Sequence, residues 1–292
     1  GEIPGSDLKD EVVMIGAHLD TWHASPNASD NTSGVAVSLE AMRILKAVGA
    51  KPRRTIRVAL WAGEEQGLFG SRAYVKQHFG NPRDPAVGAK PAYEKLSAYF
   101  NQDYGAGQYR GIMLQGNEYA RAQFTTWMAP FRDLGMTVVS NQSLGSTDHV
   151  AFDEVGLPGF QFLQDNIPGT GGHTNLDFLE AIQPSDLMKN AVIMASFAYH
   201  AANAAARTTA LALLASLKKE IGDLSKVKRI VKVSGFVNGT ADFTAQPAVM
   251  NGCSDLLVAV FGDRGKHARA ALGMASLPRG AVVEIEMIVE VQ

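Results

Sequence analysis

The chain has 292 residues, 46% of them hydrophobic and 19% charged, with a formal net charge of −2. Such a composition belongs to a globular protein with a real core, in one large or two smaller domains, and the near-neutral charge gives no basis for a nucleic-acid partner or an anionic membrane surface. Cys253 is the single cysteine, so an intrachain disulfide and a Cys-based zinc or iron–sulfur site are excluded, and no apolar stretch is long and unbroken enough to span a bilayer.

Strands and helices alternate up to about residue 203. The apolar run 12–18 predicts a buried strand, and 31–48 has helical spacing with Gly49 near its end. A second strand is expected over 54–62, a helix over 65–79, and a loop with three prolines over 81–91. Strand 96–103 follows, then a turn and short strand over 105–116, a helix over 117–134, and strands at 136–140 and 159–165. Strands separated by helices imply an α/β fold with a mostly parallel sheet covered on both faces. Ligands bind such sheets beyond the carboxyl ends of the strands. Pro184 opens an alanine-rich helical region running continuously through 200–210 to about 222. A smaller α+β unit follows, with strands at 228–239, 267–277 and 281–291 and a helix at 246–262. Two domains are therefore expected, 1–203 and 204–292, with no linker and no internal repeat.

The chemistry-bearing residues lie where those strands end. His18 closes the first strand, with Asp20 two residues on, and Asp30 stands in SDNTSG just before a helix. Glu64 and Glu65 end the second strand, Asp103 ends the third, and His173 lies in the glycine-rich loop PGTGGHTNLD. Each has a plain structural alternative. Asp30 suits an N-cap, the two glutamates suit a solvated helix start, Asp103 can cap a turn, and a loop histidine is ordinarily surface. Taken together they are imidazoles and carboxylates on one rim, which is what zinc takes. Adjacent buried carboxylates are costly unless a cation neutralises them. The set makes two zinc ions per chain with one shared carboxylate. Glu65 binds metal and Glu64 serves as general base toward the attacking water. Asp148 and His149 suit supporting groups, a substrate contact or helix capping equally, while His23, His78 and His200 have no placement argument.

The segments His18-Leu19-Asp20, Asp30-Asn31, Glu64-Glu65, Asp103 and His173-Thr174 together resemble the co-catalytic zinc exopeptidases of the aminopeptidase type, over about residues 2–203. NQDYGAGQYRGIMLQGN and GSTDHVAFDEVGLPGFQFLQD are most similar to the carboxypeptidase Q-like branch. The resemblance implies that His18 and Asp103 bind one zinc, Glu65 and His173 the other, that Asp30 bridges, that Asp20 orients His18 and that Glu64 is the base. It also implies a secreted or periplasmic enzyme cutting terminal residues from peptides or dipeptides, and an N-terminal part preceding residue 1. Two other readings on the same scaffold are a binding protein that has lost catalysis and a single-zinc glutaminyl cyclase.

The tail resembles the carboxy-terminal two-thirds of the RidA (YjgF) family of enamine/imine deaminases. Arg269 then matches a substrate-carboxylate ligand and Glu284 a residue beside the reactive water. That family's first strands have no counterpart here and its site forms between subunits, so an inactive unit is expected. The unpaired edge of a partial sheet would favour a homo-oligomer. Deaminase activity through the tail is the alternative.

Overall fold

Side chains 12–17 are buried on both faces of the backbone, which a strand tolerates only inside a covered sheet. The computed structural model describes residues 1–103, 107–166, 172–238, 246–277 and 283–292. It divides into two compact units, Gly1–Asn203 and Ala204–Gln292. In the first unit the strands are β1 (Glu2–Ile3), β2 (Leu8–His18), β3 (Arg54–Trp61), the short pair β4 (Gly80–Asn81) and β5 (Gly88–Ala89), β6 (Leu96–Asn101), β7 (Tyr109–Met113), β8 (Val138–Ser140) and β9 (Gly159–Gln164). Its helices are α1 (Ser33–Ala47), α2 (Phe69–His78), α3 (Arg121–Met128), α4 (Val150–Asp153) and α5 (Pro184–Asn203).

Seven strands form one sheet in the order β1-β3-β2-β6-β9-β7-β8. The central four, β3, β2, β6 and β9, are parallel. β7 runs antiparallel to β9 and β1 antiparallel to β3. Helices cover both faces, as the α/β alternation requires. Val12 and Met14 pack with Val75 and Phe79 at α2 and Phe152 of α4, while Phe100 meets Phe197 of α5 edge-on at 5.9 Å. Burying a side chain of that size stabilises by about 1.5–3 kcal/mol. Register then positions the functional rim. His18 lies opposite Trp61, and Gly16 opposite Asn101, so residue 103 falls level with residue 18.

Several element boundaries differ from the sequence expectation. Helix α2 starts at Phe69 rather than 65, because Gly63 (φ 74°), Gly67 (φ 124°) and Leu68 (φ 61°) turn the chain first. The helix expected over 117–134 is broken into α3 flanked by 3₁₀ turns, the second with Pro130 in its first turn. Proline cannot donate the backbone bond that would continue the helix. Strand β6 stops at Asn101, leaving Asp103 in the connection beyond it. The continuous helix across 200–210 is interrupted at Ala204 (φ −77°, ψ 73°). There Asn203 Nδ2 donates to the Tyr199 carbonyl at 2.7 Å and its Oδ1 accepts from the Arg53 amide. Such side-chain bonds compete with helix propagation.

The second unit contains α6 (Ala205–Ile221), β10 (Val227–Asn238), α7 (Gln246–Phe261), β11 (Ala268–Met274) and β12 (Val283–Val291). Its sheet order is β11-β10-β12, with β11 parallel and β12 antiparallel to β10. It has its own core around Val233, Met250, Leu256 and Leu257. Parts of the expected turn at 105–106, of the loop at 168–171 and of the strands at 239 and 281–282 lie outside the described residues. No helix among the described residues is long and apolar enough to cross a membrane.

Candidate metal centre

Five side chains meet in a continuous line at the carboxyl edge of the parallel strands. His18 is fully buried; its Nε2 lies 3.0 Å from Asp103 Oδ1 and 3.1 Å from Asp30 Oδ1. The other oxygen, Asp30 Oδ2, is 3.0 Å from His173 Nε2, which is 3.0 Å from Glu65 Oε2. Asp30 therefore turns one oxygen to each imidazole. The donors fall into two groups that share it, His18–Asp30–Asp103 and Asp30–Glu65–His173, with the atoms of each group within 4.8 Å of one another. Glu64 Oε2 stands 4.0 Å from His18 Nε2 and belongs to neither group.

The electrostatics of the cluster call for cations. Burial by itself would lower the His18 pKa, but its bonds to Asp103 and Asp30 and the charges of Asp103 and Glu64 push it up to about 12. Burial, reinforced by the charge of Asp103, raises Glu64 to about 8. Burial and the charge of Asp30 also raise Glu65, whose Oε1 is buried without a hydrogen-bond partner. Four carboxylates around two imidazoles, with one oxygen orphaned, fit divalent cations bound through N and O donors.

A ring of supporting contacts holds these donors. His18 Nδ1 lies 3.0 Å from the backbone carbonyl of Asp20. A carbonyl only accepts, so Nδ1 carries a hydrogen, and Nε2, which faces Asp103 and Asp30, is the nitrogen left for a cation once it gives up its own proton. The Asp20 carboxylate is farther, 3.7 Å from Nδ1. It accepts instead from the Glu64 and Glu65 amides at 3.2 Å each. Asp20 thus touches three members of the site, by a route that sequence reasoning did not specify. Asp177 closes the PGTGGHTNLD segment, and nothing in its spacing marks it as part of the site. It is fully buried and accepts from Ser29 N and Oγ at 2.6 Å and from Asp30 N at 3.0 Å. Asn31, rather than Asp30, serves the first turn of α1, its Oδ1 accepting from Gly34 N at 3.1 Å while Nδ2 donates to the Gln102 carbonyl at 2.8 Å. Gly34 is required here, because a Cβ would lie 2.4 Å from Asn31 Oδ1 and 2.8 Å from the Gln102 carbonyl.

Asp148 and His149 are both buried and line no part of the cleft described below. His149 Nε2 is 3.0 Å from the Leu144 carbonyl and 2.6 Å from Gln115 Nε2, which braces the cleft wall at Leu144. His23, His78 and His200 belong to neither donor group. In the second unit, Arg269 Nη1 donates to Asn251 Oδ1 at 2.8 Å, and Glu284 lies on β12 opposite Phe236. The carboxylates of the cluster and His173 open into a cavity of about 620 Å³ whose wall also holds Trp22 and Arg72. That is the size of a small-ligand site.

Comparison with known proteins gives the family. Residues 1–198 match the profile of peptidase family M28, and residues 176–291 that of the YjgF/chorismate_mutase-like family. The chain is 31% identical over 199 residues to carboxypeptidase Q of Rattus norvegicus, covering 68% of this chain and 40% of that protein. The Peptidase M28 precursor from Shewanella amazonensis superposes with a TM-score of 0.60 at 33% identity, over 69% of this chain and 43% of that one. The zinc aminopeptidase BSAP from Bacillus subtilis superposes with a TM-score of 0.55 at 26% identity, over 69% and 48%. The chain thus spans less than half the length of each of these relatives.

Proposed function

Because the chain belongs to peptidase family M28, we propose that it is a zinc exopeptidase hydrolysing the terminal bond of short peptides, with two zinc ions per chain. One observation carries the two-ion reading. Asp30 offers a separate oxygen to each of two His-carboxylate groups. His18, Asp103 and Asp30 would hold one ion, and Glu65, His173 and Asp30 the other. Zinc there supplies Lewis acidity toward water and the scissile carbonyl.

The protein's own residues do the rest. Glu64 faces the cleft without belonging to either donor group, so its carboxylate is free to accept the proton of the attacking water and return it to the leaving amine. Burial and the charge of Asp103 raise its pKa in the metal-free protein, and bound cations would lower it, favouring the ionised carboxylate that accepts a proton. Asp20 fixes the backbone from which Glu64 and Glu65 project, and Asp177 holds the loop that carries Asp30.

Elemental analysis of chelator-stripped, zinc-reloaded protein should find about two zinc ions per chain. Glu64→Gln should retain them and lose about 10²–10⁴-fold in kcat on a dipeptide panel. One ion per chain, with binding unaffected by Glu65→Ala, would overturn the two-ion reading. A variant with near-parental kcat would move the base elsewhere.

A further inference from the structure

The two donor groups match in type, each a histidine and a carboxylate around Asp30, and such a pair does not by itself select the amino or the carboxyl end of a peptide. Arg72 breaks that symmetry. Among the described residues lining the cleft it is the only arginine or lysine, set against a wall otherwise rich in carboxylates. It lies in the first turn of α2, just past the turn that carries Glu64 and Glu65.

A guanidinium has five N–H groups and no acceptor. Arg72 commits three of them. Nε and Nη2 donate to Glu154 at 3.1 and 2.6 Å, and Nη1 donates to the Gly67 carbonyl at 2.9 Å. One N–H remains on each terminal nitrogen, and the side chain stays 47% exposed. Two N–H groups on neighbouring nitrogens are what a carboxylate takes as a fork. An ordinary surface ion pair with Glu154 contributes little. What distinguishes Arg72 is that Glu154 on one side and the Gly67 carbonyl on the other hold it in place before a ligand arrives, which lowers the entropy lost on binding.

We propose that Arg72 anchors the C-terminal carboxylate of the substrate, so that the cleft takes short peptides with a free carboxyl end. With zinc bound the carboxylates of the cluster are neutralised, and Arg72 is the one fixed side-chain cation among the described residues of the wall, so a carboxylate seated on it leaves the preceding peptide carbonyl free to face the cluster. An extended residue spans about 3.3–3.6 Å, so a cavity of this size takes on the order of two or three residues. The assignment rests on the peptidase reading for the identity of the ligand as a peptide.

The test uses the full zinc-loaded chain carrying Glu64→Gln, which binds without turning over. Dissociation constants are measured by calorimetry for alanyl-leucine and for its C-terminal amide. The free acid should bind at least about tenfold tighter than the amide. Adding Arg72→Met should bring the acid to the affinity of the amide and leave the amide unchanged. Arg72→Lys keeps the charge without the fork, should retain part of the preference, and carries the test if the methionine variant fails to fold. Equal affinities in the Glu64→Gln parent, binding of neither ligand, or equal weakening of both by Arg72→Met would overturn the anchor. Turnover by the Glu64-containing chain separates the two readings. Acid-selective binding with no hydrolysis of any peptide would sink the peptidase reading and keep the anchor. Equal kcat/KM for acid and amide, unmoved by Arg72→Met, would sink the anchor and keep the peptidase.

Discussion

At the scale of single residues, protons and cations compete for the same cluster. In the metal-free protein His18 is pushed up to about 12 by Asp103 and Asp30, against the lowering effect of its burial, and Glu64 is raised to about 8 by burial and the charge of Asp103. Both folded-state values lie above the unfolded ones. Their contributions to metal-free stability are therefore fully present below pH 6.5 for His18 and 4.5 for Glu64, and are lost as pH rises toward about 12 and 8. A ligating imidazole must be neutral at the metal-bound nitrogen, so zinc binding releases protons and tightens with rising pH. The gain in unfolding temperature on adding zinc should be larger at pH 8 than at pH 6, and titration in two buffers of different ionisation enthalpy should report proton release. A zinc affinity independent of pH would contradict this. Asp177 gives a second residue-scale prediction. Asp177→Ala orphans three donors, two of them buried, each costing about 1–3 kcal/mol at most. It should weaken zinc binding by about 10–100-fold, as removal of a supporting carboxylate does, without changing the pH dependence of kcat. Competition with a chromophoric chelator measures it.

At the scale of elements, the sheet carries the site while its flanking turns tune it. The short helix α4 ends at Asp153, whose carboxyl is raised to about 7 by burial, against the Gly159 amide and the charge of Arg83, which both lower it. A raised carboxyl costs stability as pH climbs from the unfolded value of 3.8 through about 7. Asp153→Asn should therefore stabilise the protein at pH 8, by about 1 kcal/mol once partial solvent screening is allowed for, and should give no gain at pH 4. Thermal unfolding of the two proteins at both pH values checks it. A gain of equal size at both would show a packing effect rather than titration. The same end of α4 bears Glu154, the partner of Arg72, so this helix couples sheet packing to the proposed carboxylate anchor.

At the scale of the whole molecule, each unit closes its own core. Val12, Met14 and Phe152 belong to one, and Val233, Met250 and Leu256 to the other. All residues of the candidate metal centre and of its cleft lie before Asn203. A chain ending at Asn203 should bind zinc and hydrolyse its best dipeptide with unchanged kcat/KM. The full chain should show no turnover of 2-aminoacrylate, since Arg269 and Glu284 sit in a sheet of only three described strands. Imine hydrolysis abolished by Arg269→Ala would make the second unit a working enzyme.

The order and chemical type of the clustered side chains were legible in the sequence, because local signals carried them. Continuous apolar runs mark strands buried on both faces, and His18, Glu64 and Glu65 follow such runs directly. The carboxyl-edge rule then placed them, with Asp103, on one rim. Composition and a single cysteine restricted the donors to His, Asp and Glu. Tertiary structure decided what depends on distant partners. The start of α2 moved because positive-φ turns at Gly63 and Gly67 override helical spacing, and the helix break at Ala204 accompanies a bond between Asn203 and Arg53, 150 residues apart in the chain. Asp177 supports Asp30 across 147 residues, and Asp20 acts through its carbonyl on His18 and through its carboxylate on the glutamate amides. Residue type and periodicity are local properties. Which oxygen faces which imidazole is set by strand register and loop closure, and these exist only once the chain has folded.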